Sequence, residues 1–311
     1  MRITVLCGGV GAARLLCGFK SLLDEIDDLF ITAVINTGDD DTFYGVHVSP
    51  DIDTIMYHLS DLHDDQRGWG RKDDTFNFVE SLRSQGHNAW FNLGDSDMGL
   101  CYFRTLLLEN SLNLGEATDV ISNNLGVHKR INLLPATNSE AKTRIVTDMG
   151  ELSFQEYFVR EQCRPKIVDI KYGAQVHDDG TLKKLFDETD KIIIAPSNPF
   201  LSIKPILEIK NVHESLQTHK SKTIAVSPIV SGQAIKGPLA QIMENFSMEV
   251  SPVSIAEIYK DLVDTFVLDI QDQELANDIS TMNLQPIVLD TIMDSDTKRK
   301  DLAKKLMDIT L

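Results

Sequence analysis

The amino-acid sequence predicts an α/β fold: a mainly parallel sheet flanked by helices, with a smaller α+β subdomain inserted. Three observations carry the prediction. Short runs rich in β-branched and apolar residues alternate with helical stretches, the pattern of strands buried on both faces. The first run, Arg2 to Leu6, breaks straight into Cys7-Gly8-Gly9-Val10-Gly11 and then into a helix from Ala12. From about His128 to Gly180 the alternation gives way to brief strands and a hairpin turn at Met149-Gly150-Glu151. The expected organisation is a core of residues 1–127 and 186–311 around an insertion at 128–185.

A strand, a glycine loop and a helix N-terminus together aim unpaired backbone N–H groups at an anion, usually a phosphate. From Gly9 the loop reads G-V-G-A-A-R, so Arg14 stands where a dinucleotide fingerprint has its third glycine, and no G-K-[ST] follows. The motif therefore predicts a phosphate-containing ligand, but neither NAD nor a P-loop nucleotide. Leu29 to Ile35 is a second buried strand and ends in Asn36-Thr37-Gly38-Asp39-Asp40-Asp41. Ligands of open parallel sheets sit at the C-terminal ends of strands, which sets these acids beside the glycine loop.

Ser49-Pro50-Asp51 starts a helix with an apolar stripe at Ile52, Ile55, Met56 and Leu59. Asp51 and Asp53 fall in its cap or first turn, and one of them is expected to do more than cap. Gln66 to Lys72 holds Arg67 and Trp69 among glycines, suited to stacking on a ring or to phosphate contact. Asn92-Leu93-Gly94-Asp95-Ser96-Asp97 is a further glycine–acid loop before a helix from about Met98 to Glu109, with Asp95 or Ser96 as cap. A helix at Gly115 to Leu125 follows. Ile131 to Leu134, Arg144 to Thr147 and Lys166 to Lys171 read as strands of the insertion, outside the central sheet. Core strands resume at Lys191 to Ala195, Lys222 to Val226, Thr265 to Ile270 and Pro286 to Leu289, and a Lys-rich amphipathic helix runs from Thr297 to Asp308. Pro196-Ser197-Asn198-Pro199 follows the first of these strands as a rigid turn at the same crevice.

The net charge of −17, from 47 acidic and 30 basic residues, argues against binding nucleic acid or an anionic membrane. An acidic protein that handles phosphorylated substrates needs local compensation, for which a divalent cation is expected. The four cysteines lack CxxC spacing and suit reduced thiols in the cytoplasm. No apolar run approaches the roughly 20 residues of a membrane span.

Taken together, the motifs resemble the 2-phospholactate transferases of the CofD type, which assemble the deazaflavin coenzyme F-420. The resemblance rests on GGVGAARLL, NTGDD at Asn36 to Asp40, SPDIDT at Ser49 to Thr54, RGWG at Arg67 to Gly70 and NLGDSD at Asn92 to Asp97. It continues through LLPAT at Leu133 to Thr137, APSNPFLSI at Ala195 to Ile203 and AVSPIVSG at Ala225 to Gly232. Eight motifs in chain order are far more specific than any one of them.

The resemblance implies a Rossmann-like core and a magnesium-dependent transfer onto the deazaflavin alcohol Fo. The donor would be a guanosine-diphosphate-activated lactate, or phosphoenolpyruvate in some relatives, with GMP released; a homodimer suits the family. Gly8, Gly9, Val10, Gly11 and Arg14 would cradle the donor's diphosphate, with Ser197 and Asn198 toward guanosine and Ser227 as a weaker counterpart. Asp39 and Asp40 would hold Mg2+. Asp51 would meet the reacting hydroxyl of Fo, as proton acceptor or as a metal ligand. Arg67 and Trp69 would line the ring pocket, and Asn92, Gly94 and Asp95 its polar edge. Two alternatives are a nucleotide-binding regulatory protein of the related GGxG branch and, by fold analogy alone, an NAD-dependent dehydrogenase.

Overall fold

The structure is a computed structural model describing residues 1–173, 180–234 and 237–310. Seven strands form its central sheet: β1 (Arg2–Cys7), β2 (Phe30–Ile35), β3 (Ile131–Pro135), β4 (Lys191–Ile194), β5 (Thr223–Val226), β6 (Thr265–Asp269) and β7 (Gln285–Leu289). Their order is β7-β6-β5-β4-β1-β2-β3, and every neighbouring pair is parallel. The chain leaves β1 toward β2 on one side and returns to pair β4 on the other, which makes the C-terminal ends of β1 and β4 the topological switch point.

The strands are apolar because both faces are covered. Val5 and Cys7 face a layer containing helices α1 (Gly9–Lys20), α2 (Pro50–Leu59) and the C-terminal helix Asp296–Asp308. Leu6 faces the opposite layer, with Leu182, Leu216, Met243 and Ile255 from later helices. Each fully buried aliphatic side chain contributes about 1.5–3 kcal/mol to this packing.

One strand departs from the sequence reading. Ile131–Pro135, expected within the insertion, is the edge strand β3 paired to β2. Its half-exposed alternation, Ile131 and Leu133 inward and Asn132 outward, is what an edge position permits but resembles a separate antiparallel strand. The smaller sheet is antiparallel, with Arg144–Thr147 between Gly150–Ser153 and Ile167–Lys171. It has its own core of Ile145, Tyr157, Ile167 and Ile170, joined by Leu201 and Ile242 from the main chain fold. A π-helix, Glu156–Arg160, connects Gly150–Ser153 to Ile167–Lys171. Positions 174–179 of the expected insertion lie outside the described residues.

Candidate functional site

At the switch point lies a cleft of about 550 Å³. Gly8, Gly9, Val10, Gly11 and Arg14 form its floor, and Asp39, Asp51, Ser197 and Asn198 stand around them. The helix starts sooner than the sequence suggested: α1 begins at Gly9, with Gly8 as N-cap, so the glycines are its first turn. Close approach explains why. A Cβ at Gly8 would lie 2.2 Å from Asp51 Oδ2 and 2.8 Å from Ser202 Cβ. Ser197 clasps the loop from the other side, its hydroxyl donating to the Gly8 carbonyl (2.8 Å) and accepting from the Gly8 N–H (3.2 Å).

Asp51 faces this loop. Its carboxylate accepts from Asn36 Nδ2 at 2.9 Å and from the Gly9 N–H, yet burial lifts its pKa to about 6. Asp39 accepts from the same Asn36 amide (3.3 Å) and from Gln155 Nε2 (3.5 Å). Burial, then the charges of Asp51 and Asp40, raise Asp39 well above the usual carboxylate range. Asp40 is off the cleft wall: Ser49 Oγ donates to its Oδ2 at 2.7 Å, and His47 Nε2 lies 3.1 Å from the same oxygen. Its Oδ1 is buried without a hydrogen-bond partner among the described residues, and burial raises its pKa too.

The N-cap of α2 is Ser49, which makes no side-chain cap among the described residues, and Asp51 and Asp53 both lie in the first turn. Asp53, two residues beyond Asp51, forms a buried two-pronged pair with Arg104, whose Nη1 donates to Oδ2 at 3.0 Å and whose Nη2 donates to Oδ1. Arg104 lies on helix α4 (Asp95–Glu109), numbered here after α3 (Asn77–Ser84). Asp97, on the same helix, accepts from the Tyr57 hydroxyl and lines the cleft. Burial and then Asp53 push Asp97 up to about 7. Asp53, Asp97 and Cys101 are close enough to share an ion, but Arg104 already neutralises Asp53 and Tyr57 occupies Asp97. The sequence reading missed this cluster, although Asp97, Cys101 and Arg104 recur at i, i+4 and i+7, one helical face.

Gly94 and Asp95, assigned to the ring edge, do not line the cleft. Asp95 is not the cap of its own helix either. Its carboxylate accepts from the N–H groups of Asn77 (3.1 Å) and Phe78 (2.9 Å) at the start of α3. Hydrogen bonds from Thr75, the Phe78 N–H and Asn77 hold its pKa down at about 2. Asp74 returns the favour to α4, accepting from the N–H groups of Ser96 (2.8 Å) and Asp97 (3.1 Å). A side chain at Gly94 would meet that Asp74 carboxylate at 2.1 Å, which is why glycine stands there. Asn92 does reach the cleft; Arg83 takes its Oδ1 at 2.6 Å, leaving the amide NH2 without a protein partner among the described residues.

Trp69 is on the wall and 44% exposed, while Arg67 stands behind it, paired with Asp64 (2.8 Å) and stacked over Trp69 and Phe76. Asn198 caps the following turn through Oδ1, bonded to the N–H groups of Phe200 and Leu201. Ser227 is spent on a local turn with Ile229. The insertion supplies a wall that the sequence reading did not assign: Gln155, Val159 and the stacked pair Phe154–Phe158, whose ring centroids are 5.5 Å apart. Arg14 alone among these cationic groups has no hydrogen-bond or ion-pair partner among the described residues, and its Nε is buried.

An open parallel sheet, a glycine-started helix at its switch point and an acid-lined cleft define a Rossmann-like α/β protein with its cleft where such folds place ligands. Residues 3–307 match the family model described as 2-phospho-L-lactate transferase CofD. Relatives with that activity in their names include those of Methanococcus maripaludis (34% identical, covering 99% of this chain and 98% of the relative) and Methanosarcina mazei (32%, covering 96% and 97%). Another, from Methanocaldococcus jannaschii, is 31% identical over 98% of this chain and 97% of its own. The chain belongs to the CofD family of 2-phospho-L-lactate transferases. Its fold also superposes on a crystal structure of a UPF0052-family protein from Bacillus halodurans, with a TM-score of 0.62 at 14% identity and coverage of 99% and 98%.

Proposed function

We propose that the protein transfers a phospholactyl or phosphoenolpyruvyl group from its guanosine-diphosphate-activated form to the deazaflavin alcohol Fo, releasing GMP. Within the transferase role that its family carries, one observation supports this choice of chemistry above others. Arg14 reaches the cleft beside the glycine turn of α1 without a counter-ion among the described residues, in a chain with 17 surplus negative charges. An unpaired guanidinium next to a helix N-terminus is arranged for a diphosphate.

The residues also fit magnesium. Asp39 and Asp51 are oxygen donors on the cleft wall, Asp40 lies behind with a buried orphan oxygen, and no cation pairs with Asp39 or Asp51 among the described residues. A bound Mg2+ would neutralise phosphate charge and orient the diphosphate. In the transfer, the Fo hydroxyl oxygen bonds to the lactyl phosphorus as the bond from that phosphorus to the bridging oxygen breaks. GMP departs with that oxygen. Asp51, with its pKa raised to about 6, takes the alcohol proton if it is not itself occupied as a ligand. Trp69 and the Phe154–Phe158 pair offer flat apolar surface for a ring system, and the free amides of Asn92 and Asn198 offer hydrogen-bond donors.

We further propose a cytoplasmic homodimer; Tyr102, Phe103 and Leu106 form an exposed apolar stripe on α4 in support of self-association. The decisive experiment incubates protein, Mg2+ and Fo with each guanylated acid and identifies the product by mass. The expected product is F-420-0 or its dehydro form together with GMP. Nucleotide binding without any consumption of Fo would instead make the protein a regulator.

A further inference from the structure

Asn36 received no role of its own from the sequence, yet its side chain makes four hydrogen bonds beside the cleft. It directly follows β2, is 1% exposed, and its Oδ1 accepts from the Gly38 N–H at 2.8 Å, which fixes which way the amide faces. Its Nδ2 then lies 2.9 Å from Asp51 Oδ2, 3.3 Å from Asp39 Oδ1 and 3.2 Å from the Leu201 carbonyl. Two N–H bonds cannot fully serve three acceptors, so the carboxylates keep spare acceptor capacity. The other oxygen of Asp39 is met by Gln155 Nε2 at 3.5 Å, from the inserted segment. Thus two carboxylates that repel each other are held together by neutral amides where a lysine or arginine would have cancelled them.

We propose that Asn36 and Gln155 form an amide clamp, positioning Asp39 and Asp51 at the spacing a divalent cation needs while leaving their charge uncancelled. Asn36 sets the distance between the two carboxylates from the core side. Gln155 turns Asp39 from the insertion side, so the cation site is complete only when the small sheet is seated against the core. Both are positioning residues: they act through the two aspartates. The inference rests on the cation reading above, and its test separates the two.

Mn2+ binding, followed by its EPR signal in the full-length protein without organic substrates, is the direct readout. Removal of groups that orient metal ligands lowers affinity about 10–100-fold, and that loss is expected for Asn36→Ala. Gln155→Ala, which removes one long hydrogen bond, should show a smaller loss in the same direction with an unchanged melting temperature. In turnover, both should raise the Mg2+ concentration for half-maximal rate. Asn36→Gln, which keeps the amide one methylene farther out, should recover part of the Mn2+ affinity. If Asn36→Ala fails to fold, Gln155→Ala decides. Wild-type affinity for Mn2+ in folded Asn36→Ala, or in Gln155→Ala, overturns the clamp. Mn2+ binding that is equal in wild type and Asp51→Ala overturns the cation reading itself.

Discussion

Asp51 and Asp53 sit in the same first turn of α2, and they are 7% and 5% exposed. Their surroundings differ in kind. Asp53 is neutralised by Arg104, a guanidinium with no exposure, so that centre is electrically closed by the protein itself. Among the described residues, Asp51 and Asp39 receive only amide and backbone N–H groups, and burial raises both pKa values. A buried charge without a counter-ion is expensive. Keeping two of them at the mouth of the glycine turn makes sense when a ligand completes the balance. The paired centre supports the wall, and the unpaired centre is the one to which the cation and substrate are assigned in the proposal above.

The sharpest way to break this contrast is to exchange the charges. Asp51→Asn should lower turnover about a thousandfold, with the fold retained by circular dichroism; near-normal turnover would remove Asp51 from the chemistry. Arg104→Met should instead cost about 3–5 kcal/mol of stability by leaving Asp53 buried and alone, read by urea unfolding. Adding Asp53→Asn to that variant should restore much of the loss, because the orphaned charge goes with it.

The next effect depends on pH. Asp97 has its pKa raised to about 7 in the folded state, against about 3.9 in an unfolded chain. Ionising it therefore opposes folding: the cost is absent below about pH 4, grows as pH rises, and is complete above about pH 7. Asp97→Asn should gain stability relative to wild type across that window, by about 2–4 kcal/mol at its upper end. His58 works in the opposite sense. Burial lowers it to about 4 as it stacks on His63 at 4.0 Å, so its cost appears only as pH falls from about 6.5 toward 4. His58→Gln should flatten the acid limb of the stability profile. A smaller change is expected from magnesium, which should raise the melting temperature of wild type by a few degrees and of Asp39→Ala hardly at all. The smallest belongs to Asp74→Asn, about 1 kcal/mol for a weakened helix cap, with turnover unchanged.

Much of the fold was legible in the sequence because buried parallel strands are apolar runs punctuated by glycine and acids. β1, β2, β4, β5, β6 and β7 all fall within about two residues of their expected limits, since burial on both faces leaves little ambiguity. β3 was misassigned because an edge strand carries the alternation of a half-exposed one. At the site, the glycine loop and the Asp39 and Asp51 carboxylates were legible because strand C-termini converge on the crevice. Asp95 was misread: its partners lie 17 and 18 positions away across a loop, beyond what local capping rules can see. Asp53 and Arg104, 51 positions apart, left no adjacent signal, and only the helical spacing of Asp97, Cys101 and Arg104 hinted at a polar face turned inward.

The Ser197 clasp on Gly8 has a consequence for the growing chain. β1 precedes the other sheet strands in the chain but lies in the middle of the sheet, paired to β4 from Ile3 opposite Lys191 through Leu6 opposite Ile194. The hydroxyl that fixes its glycine loop arrives 189 residues later. During synthesis the opening strand therefore emerges early with one edge unpaired, a surface on which other chains can add. The glycine turn is thus specified early in the sequence but fixed only once Ser197 has joined it.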